Sequence, residues 1–235
     1  MNASATLTES LRGGLIVSCQ AMPSHSLDDP EIIAALAEAV VAGGAAGIRA
    51  DAPQNIRAIR KRSKIPIIGI WKRNQKGSGV IITPCLEDVL AVAEAGAEVV
   101  ALDATFRHWP KKEHLEELVQ EAKARSSALL MADVSNLAEG VRATQMGFDF
   151  VATTLSGYTG EEESQAEEPD LSLIWQFKQI PDNSIPIIAE GRISTPKQAA
   201  EALRAGAFAV VVGTAITRPQ VITEKFCEAL EQAQA

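Results

Sequence analysis

Lys72 and Glu190 each stand at the end of a short apolar run, Ile67-Ile68-Gly69-Ile70-Trp71 and Ile185-Pro186-Ile187-Ile188-Ala189. If these runs are strands on opposite sides of one structure, an ammonium and a carboxylate face a bound carbon from two directions. That arrangement suits inversion next to a carbonyl, one group taking a proton and the other returning it. A single lysine could perform both transfers if a substrate hydroxyl relays the proton. A free lysine, with a pKa of about 10.4, is too basic to be neutral near pH 7. Burial and the neighbouring charges of Arg49 and Arg73 would bring it down, and Arg49 or Lys72 could stabilise a developing enolate.

A second signal concerns an anion. Gly191-Arg192-Ile193 and Gly213-Thr214-Ala215-Ile216 are glycine-led turns that let backbone N–H groups approach a charged ligand, and Arg218 lies close enough in sequence to clamp it. A phosphorylated metabolite is the expected ligand. Further polar residues follow apolar runs in the same way: Gln20, Arg49, Asp103, Asp133, Thr153 and Thr154. Asp103 and Asp133 could hold a hard cation, but hydrogen bonds to sugar hydroxyls are the simpler use. His25, His108 and His114 do not fall at these positions or at metal-ligand spacing, so no metal is expected. No glycine-rich dinucleotide fingerprint follows the first apolar run, so no cofactor is expected either. The segment 156–169, rich in glutamate (Glu161, Glu162, Glu163, Glu167, Glu168), reads as a solvated loop, with Tyr158 at its base as part of a lid.

The elements that must position these residues repeat along the chain. Gly44, Gly96, Gly147 and Gly206, spaced by 52, 51 and 59 residues, each follow a helical stretch and precede a β-rich run. Glycine after a helix can adopt the left-handed conformation that stops it. Lys64-Ile65-Pro66-Ile67-Ile68 returns 120 residues later as Ser184-Ile185-Pro186-Ile187-Ile188. Eight strands are expected, at about 15–19, 46–49, 67–71, 98–103, 128–132, 149–154, 185–189 and 208–212. Helical spacing of Ile32, Ile33, Leu36 and Val40 follows Asp29-Pro30, and Leu115, Leu118, Val119 and Ala122 repeat it. Thr195-Pro196-Lys197-Gln198 is a capping box. Alternating strands and helices over 235 residues predict one α/β domain, a (β/α)8 TIM barrel of the ribulose-phosphate-binding type. A doubly wound open sheet is the runner-up, but it would not require the repetition. In the barrel the strand ends form one mouth, with the phosphate at the last two loops. The domain spans 1–235, with 1–12 expected to be loosely packed.

Composition narrows the partners. Hydrophobic residues make up 46% and charged residues 22%, enough core and too few charges for a disordered chain. A net charge of −8 argues against nucleic acid and anionic membranes as partners. Three separated cysteines, Cys19, Cys85 and Cys227, suggest no disulfide framework and a cytoplasmic setting. The apolar runs are too short to span a bilayer. Met1–Gly14, with Arg12 its only basic residue, does not look like a secretory signal.

Taken in order, Ile16-Val17-Ser18-Cys19-Gln20, Gly47-Ile48-Arg49-Ala50, Ile68-Gly69-Ile70-Trp71-Lys72-Arg73, Ala101-Leu102-Asp103-Ala104-Thr105 and Met131-Ala132-Asp133 form a recognisable series. Thr153-Thr154-Leu155-Ser156-Gly157-Tyr158-Thr159, Ala189-Glu190-Gly191-Arg192-Ile193 and Val212-Gly213-Thr214-Ala215-Ile216-Thr217-Arg218-Pro219 complete it. The chain resembles the bacterial N-acylglucosamine-6-phosphate 2-epimerases, also called N-acetylmannosamine-6-phosphate epimerases, from about Leu11 to Phe226. The resemblance implies reversible inversion at C2 between N-acetylmannosamine 6-phosphate and N-acetylglucosamine 6-phosphate, in sialic acid breakdown. It implies Lys72 as acid/base with Glu190 as its carboxylate partner. Gln20, Arg49 and Asp133 would be sugar and N-acetyl contacts, and Arg218 with the backbones of Gly191, Arg192, Gly213 and Thr214 the phosphate site. A homodimer is implied as well. Departures are small: Trp71 replaces an aliphatic residue, Thr214 a glycine or serine, and the loop 21–28 differs. Two alternatives remain open on the residues themselves, a Schiff-base aldolase using Lys72 and a non-catalytic sugar-phosphate-binding barrel.

Overall fold

The computed structural model describes residues 3–21, 25–74, 78–107, 109, 114–159, 167–181 and 184–234. His108, residues 22–24 of the loop that departs from the family pattern and Glu161, Glu162 and Glu163 of the acidic segment lie outside the described residues.

Eight parallel strands close into a barrel in sequence order, β1 (Leu15–Cys19), β2 (Gly47–Asp51), β3 (Ile67–Ile70), β4 (Val99–Asp103), β5 (Leu129–Asp133), β6 (Phe150–Ala152), β7 (Ile187–Glu190) and β8 (Ala209–Val212). The ring is sealed by β1 against β8, with Ile16 beside Val211. This is the expected (β/α)8 architecture. Helices α2 (Pro30–Ala42), α3 (Pro53–Arg62), α4 (Leu86–Glu94), α5 (Leu115–Arg125), α6 (Leu137–Met146), α7 (Leu171–Lys178) and α8 (Pro196–Arg204) fill the connections.

Strand parity decides which side chains see the interior. Ile16, Ile68, Ile70, Val99, Ala101, Met131, Phe150, Ala152, Ile188, Ala209 and Val211 form the inner cluster. Their neighbours Val17, Ile48, Val100, Leu102, Leu130 and Val151 pack outward under the helices. Continuing the inward series by two places gives Arg49 and Asp51 on β2, Lys72, Asp103, Asp133, Thr154, Glu190 and Gly213. The apolar strands therefore deliver a polar layer to one end of the barrel.

Several local expectations hold. Gly44, Gly96, Gly147 and Gly206 all have positive φ. The Thr195–Gln198 capping box is present in both directions, and Asp29 caps α2 through the N–H groups of Glu31 and Ile32. Leu115, Leu118, Val119 and Ala122 are buried together. Three details differ. On α2 the fully covered face is Ile33, Ala34 and Ala37, while Ile32 is 39% exposed, because the helix meets the barrel one position further round. β2 continues to Asp51, so Arg49 sits inside a strand rather than at its end. The N-terminal stretch is not loose: helix α1 (Ala3–Leu11) plugs the barrel floor with Leu11, which is completely buried in the inner cluster with Leu7 beside it. Gly47 makes room for the plug, since a Cβ there would lie 2.9 Å from Leu11 Cδ2.

Candidate active site

At the opposite end from that plug the barrel opens into a cavity of about 1110 Å³. Its wall includes Gln20, Arg49, Lys72, Thr154, Tyr158, Glu190, Gly191, Arg192, Gly213, Thr214 and Arg218. Of the sequence-derived site residues, Asp103, Asp133 and Thr153 do not line this space; the others meet around it, drawn from β2, β7 and the segments after β1, β3, β6, β7 and β8.

Lys72 follows β3 in a clamped backbone. It bridges Ile82 in antiparallel fashion, Arg73 donates its N–H to the Ile81 carbonyl and Thr83 donates to that of Trp71. Its own N–H goes to Asp51 Oδ1 at 2.9 Å, and its ammonium donates to Gln20 Oε1 at 2.7 Å. The side chain is exposed as a whole because the mouth is open, but its tip lies on the cavity wall. Surrounding protein disfavours the charged form and pushes the lysine pKa down. Arg49 and Arg218 add to this, whereas Asp51 and Glu190 oppose it.

Beneath the cavity Arg49 is almost completely buried and grips two carboxylates. Its two terminal nitrogens meet Asp133 at 3.1 and 2.5 Å, and Nη1 also reaches Glu190 Oε2 at 2.8 Å. Thr154 Oγ1 lies between the same groups, 2.6 Å from Asp133 Oδ1 and 3.2 Å from Glu190 Oε2. One hydroxyl proton serves one of these at a time. Burial works against the guanidinium charge, but Asp133 and Glu190 outweigh it and hold Arg49 permanently protonated. Burial also raises the Glu190 pKa, with the Asp133 charge acting in the same direction against Arg49, Thr154 and Lys72. Glu190 Oε1 makes no hydrogen bond to the described residues and faces an open cavity.

Two sequence expectations change here. Asp133 was expected to touch the sugar; instead both its oxygens are occupied by Arg49 and Thr154, and it is fully buried behind them. Its parity is right, but the Arg49 guanidinium and the Thr154 hydroxyl take up its oxygens before a ligand can reach them. Asp103, read as a sugar hydroxyl contact, is likewise engaged: Thr105 donates to it through N–H and Oγ1, and Arg107 pairs with its other oxygen.

The Arg192 side chain is held by the protein itself. It donates to the carbonyls of Ser156 at 2.6 Å and Glu168 at 2.8 Å and lies over the Tyr158 ring at 5.2 Å. Those bonds hold the β6 and β7 loops together and help keep Arg192 at φ 56°, directly after Gly191 at φ 110°. Arg192 therefore offers the cavity its backbone, while its side chain braces Tyr158. Past β8, Gly213 leads into the short helix α9 (Thr214–Thr217), whose first N–H groups have no helical carbonyl to meet. Arg218 follows on the same cavity wall.

Sequence reasoning missed Ser18, Asp51, Arg107 and Lys225. Ser18 and Asp51 share the inward parity of Gln20 and Arg49, a signal that was readable once the strands were placed. Lys225 comes from helix α10 (Pro219–Gln232), whose position no local pattern gives. Among the described residues, no group of three or more His, Cys, Asp or Glu is placed to hold a metal ion.

The arrangement can hold an anionic tail at the β7–β8 loops and present a lysine and a carboxylate to the body of the ligand. Comparison with known proteins agrees with it. A protein of Yersinia pseudotuberculosis serotype O:3 (strain YPIII), "Putative N-acetylmannosamine-6-phosphate 2-epimerase", is 46% identical over 228 residues, covering 97% of this chain and 94% of its own. The N-acetylmannosamine-6-phosphate 2-epimerase of Clostridium perfringens, whose structure is solved, superposes with a TM-score of 0.89 at 42% identity, covering 95% of this chain and 96% of that one. A thiamine phosphate pyrophosphorylase from Pyrococcus furiosus shares the fold alone, with a TM-score of 0.58 at 18% identity, covering 90% of this chain and 89% of its own. The family described as "Putative N-acetylmannosamine-6-phosphate epimerase" matches residues 33–232, and the chain belongs to that family.

Proposed function

We propose that this chain interconverts N-acetylmannosamine 6-phosphate and N-acetylglucosamine 6-phosphate by moving the proton at C2, without a cofactor, in amino sugar catabolism. The supporting observation is the Lys72 ammonium held on Gln20 inside a cavity that also presents Glu190, with Arg218 and the Gly213 turn on the same wall. The phosphate sits on the backbone N–H groups after β7 and β8 with Arg218 beside it. The C2 proton becomes acidic only when C1 is an aldehyde, so the open-chain sugar is the reacting form. Neutral Lys72 takes that proton, and the cation formed, with Arg49 beneath, offsets the charge on the enolate oxygen. Glu190, fixed through Oε2, holds the sugar through Oε1. The Lys72 ammonium then returns a proton, exchanged with solvent, to the other face of C2 through a substrate hydroxyl, which gives the epimer and restores the neutral lysine.

Proton NMR of N-acetylmannosamine 6-phosphate mixed with the purified protein in D2O tests this. Conversion to N-acetylglucosamine 6-phosphate carrying deuterium at C2 is expected. Conversion with the original hydrogen retained at C2 points instead to hydride transfer or a base fully shielded from solvent and defeats a solvent-exchanging Lys72, and no conversion defeats the substrate assignment.

The working form is a homodimer. Helix α10 buries no residue, and its apolar side chains Phe226 and Leu230 are 69% and 62% exposed. A separate apolar groove of about 400 Å³ runs along the outside of β8 and α8, lined by Leu15, Pro196, Ala199, Leu203, Val210 and Val212 among others. That is where the last helix of such a barrel belongs. Arg218 precedes Pro219 at φ −120° and ψ 76°, outside the helical region, and α10 leaves its own groove open. Sedimentation should give a dimer at micromolar concentration and a monomer for the Phe226→Asp, Leu230→Asp double variant. A monomeric wild type, or a dimeric double variant, overturns the assignment. We place the enzyme in the cytosol on its three free thiols, and nucleic acid is no partner on its net charge of −8. No helix among the described residues is long and apolar enough to cross a membrane.

A further inference from the structure

The carboxylate nearest the Lys72 backbone belongs to a residue with no role so far. Asp51 ends β2, two places after Arg49, and so points to the same interior face. Its Oδ1 accepts the Lys72 N–H at 2.9 Å. Its own backbone is fixed from both sides: its carbonyl accepts from Asn55 Nδ2 at 2.8 Å, and the next N–H, of Ala52, donates to the Ile70 carbonyl. Asp51 does not line the cavity. It lies behind Lys72, where it can act on the lysine without touching a ligand.

We propose that Asp51 is the positioning residue of Lys72, anchoring its backbone at the β2–β3 junction and supplying the negative charge that its ammonium faces from behind. The inference rests on the reading of Lys72 as the proton carrier. The charged groups around the lysine are Asp51 and Arg49 from β2, Glu190 from β7 and Arg218 from the segment after β8, with the neutral Gln20 from β1 bonded to the ammonium. Two anions and two cations act on the lysine in opposite directions, so removing one anion leaves the cations in excess. Among these charges Asp51 acts most strongly on Lys72 and favours the protonated form, against the burial that lowers its pKa. Burial likewise raises the Asp51 pKa, opposed by the Lys72 N–H and by the ammonium itself. Asp51 thus keeps Lys72 a stronger base than the surrounding protein would otherwise leave it.

Asp51→Asn keeps the size and an acceptor oxygen for the Lys72 N–H while removing the charge. The pH dependence of Lys72 acylation by trace acetic anhydride, followed by peptide mass spectrometry without substrate, reads the lysine directly. In Asp51→Asn the labelling midpoint should move to lower pH by about one unit, the low end for losing a close opposite charge. The ascending limb of kcat/KM should move the same way, with a lower plateau from the weaker base. A purely structural role would lower the plateau and leave both midpoints in place, and that outcome overturns the proposal. If Asp51→Asn does not fold, Asp51→Glu decides: the retained charge should keep the labelling midpoint near that of the wild type, and an acid-ward move overturns it. The labelling needs no turnover, so it is independent of whether Lys72 carries the proton, which an active Lys72→Ala would disprove.

Discussion

Lys72→Ala should lose about 10²–10⁴-fold in turnover, the range general acid–base groups contribute, while binding of N-acetylglucosamine 6-phosphate measured by calorimetry changes little. The two halves of this expectation come from separate parts of the cavity. Phosphate recognition is assigned to the β7 and β8 loops and Arg218, none of which bonds to the lysine side chain. Lys72 Nζ instead donates to Gln20 on β1, and its backbone is fixed by Asp51 and Ile82. Truncation at Cβ leaves those backbone bonds in place. An unchanged turnover would remove the lysine from the mechanism. A parallel collapse of ligand affinity would show instead that Lys72 binds the sugar as much as it moves its proton. The lowered pKa gives the pH dependence a sign: neutral Lys72 grows with pH, so kcat/KM should rise through a midpoint below that of a free lysine.

Much of this was legible in the sequence because a closed parallel barrel converts order into position. Eight apolar runs separated by helices leave few alternatives, and the four left-handed glycines mark where strands restart. Side-chain parity then sends Gln20, Lys72, Thr154 and Glu190 to a common mouth. What the sequence did not show is how those groups divide among themselves. Asp133 and Asp103 occupy the expected level, yet each is engaged by a neighbour, Arg49 in one case and Arg107 in the other, because a buried carboxylate is costly unless paired. Pairing partners lie 84 residues apart for Arg49 and Asp133, beyond any local pattern. Arg192 shows the same limit: the sequence places it beside an anion-binding glycine, but the carbonyls that capture its side chain come from another loop. The floor plug was missed for a different reason. Leu11 follows a weakly amphipathic stretch, and only the absence of a Cβ at Gly47 reveals the space it fills.

Arg49→Met should cost about 3–5 kcal/mol of stability, as expected when one partner of a buried ion pair is removed, and should abolish turnover together with it. The guanidinium is the counter-charge for two buried or half-buried carboxylates, and a methionine fills the volume without replacing the charge. Arg49→Lys should recover only part of the loss, since a single ammonium cannot span Asp133 and Glu190 in the same fork. The deficit should depend on pH in a specific direction. Burial already raises Glu190 above the ordinary carboxylate range, and Arg49 is the strongest influence opposing it. Without Arg49 the folded-state pKa rises further. A raised folded pKa favours the folded state below the unfolded pKa, and that advantage is lost as pH climbs through the folded value. Urea midpoints of the variant should therefore approach those of the wild type near pH 4 and fall away from them towards pH 8. A gap constant across that range would mean that Arg49 stabilises by packing alone, and Glu190 would then keep its charge with no help from the strand beneath it.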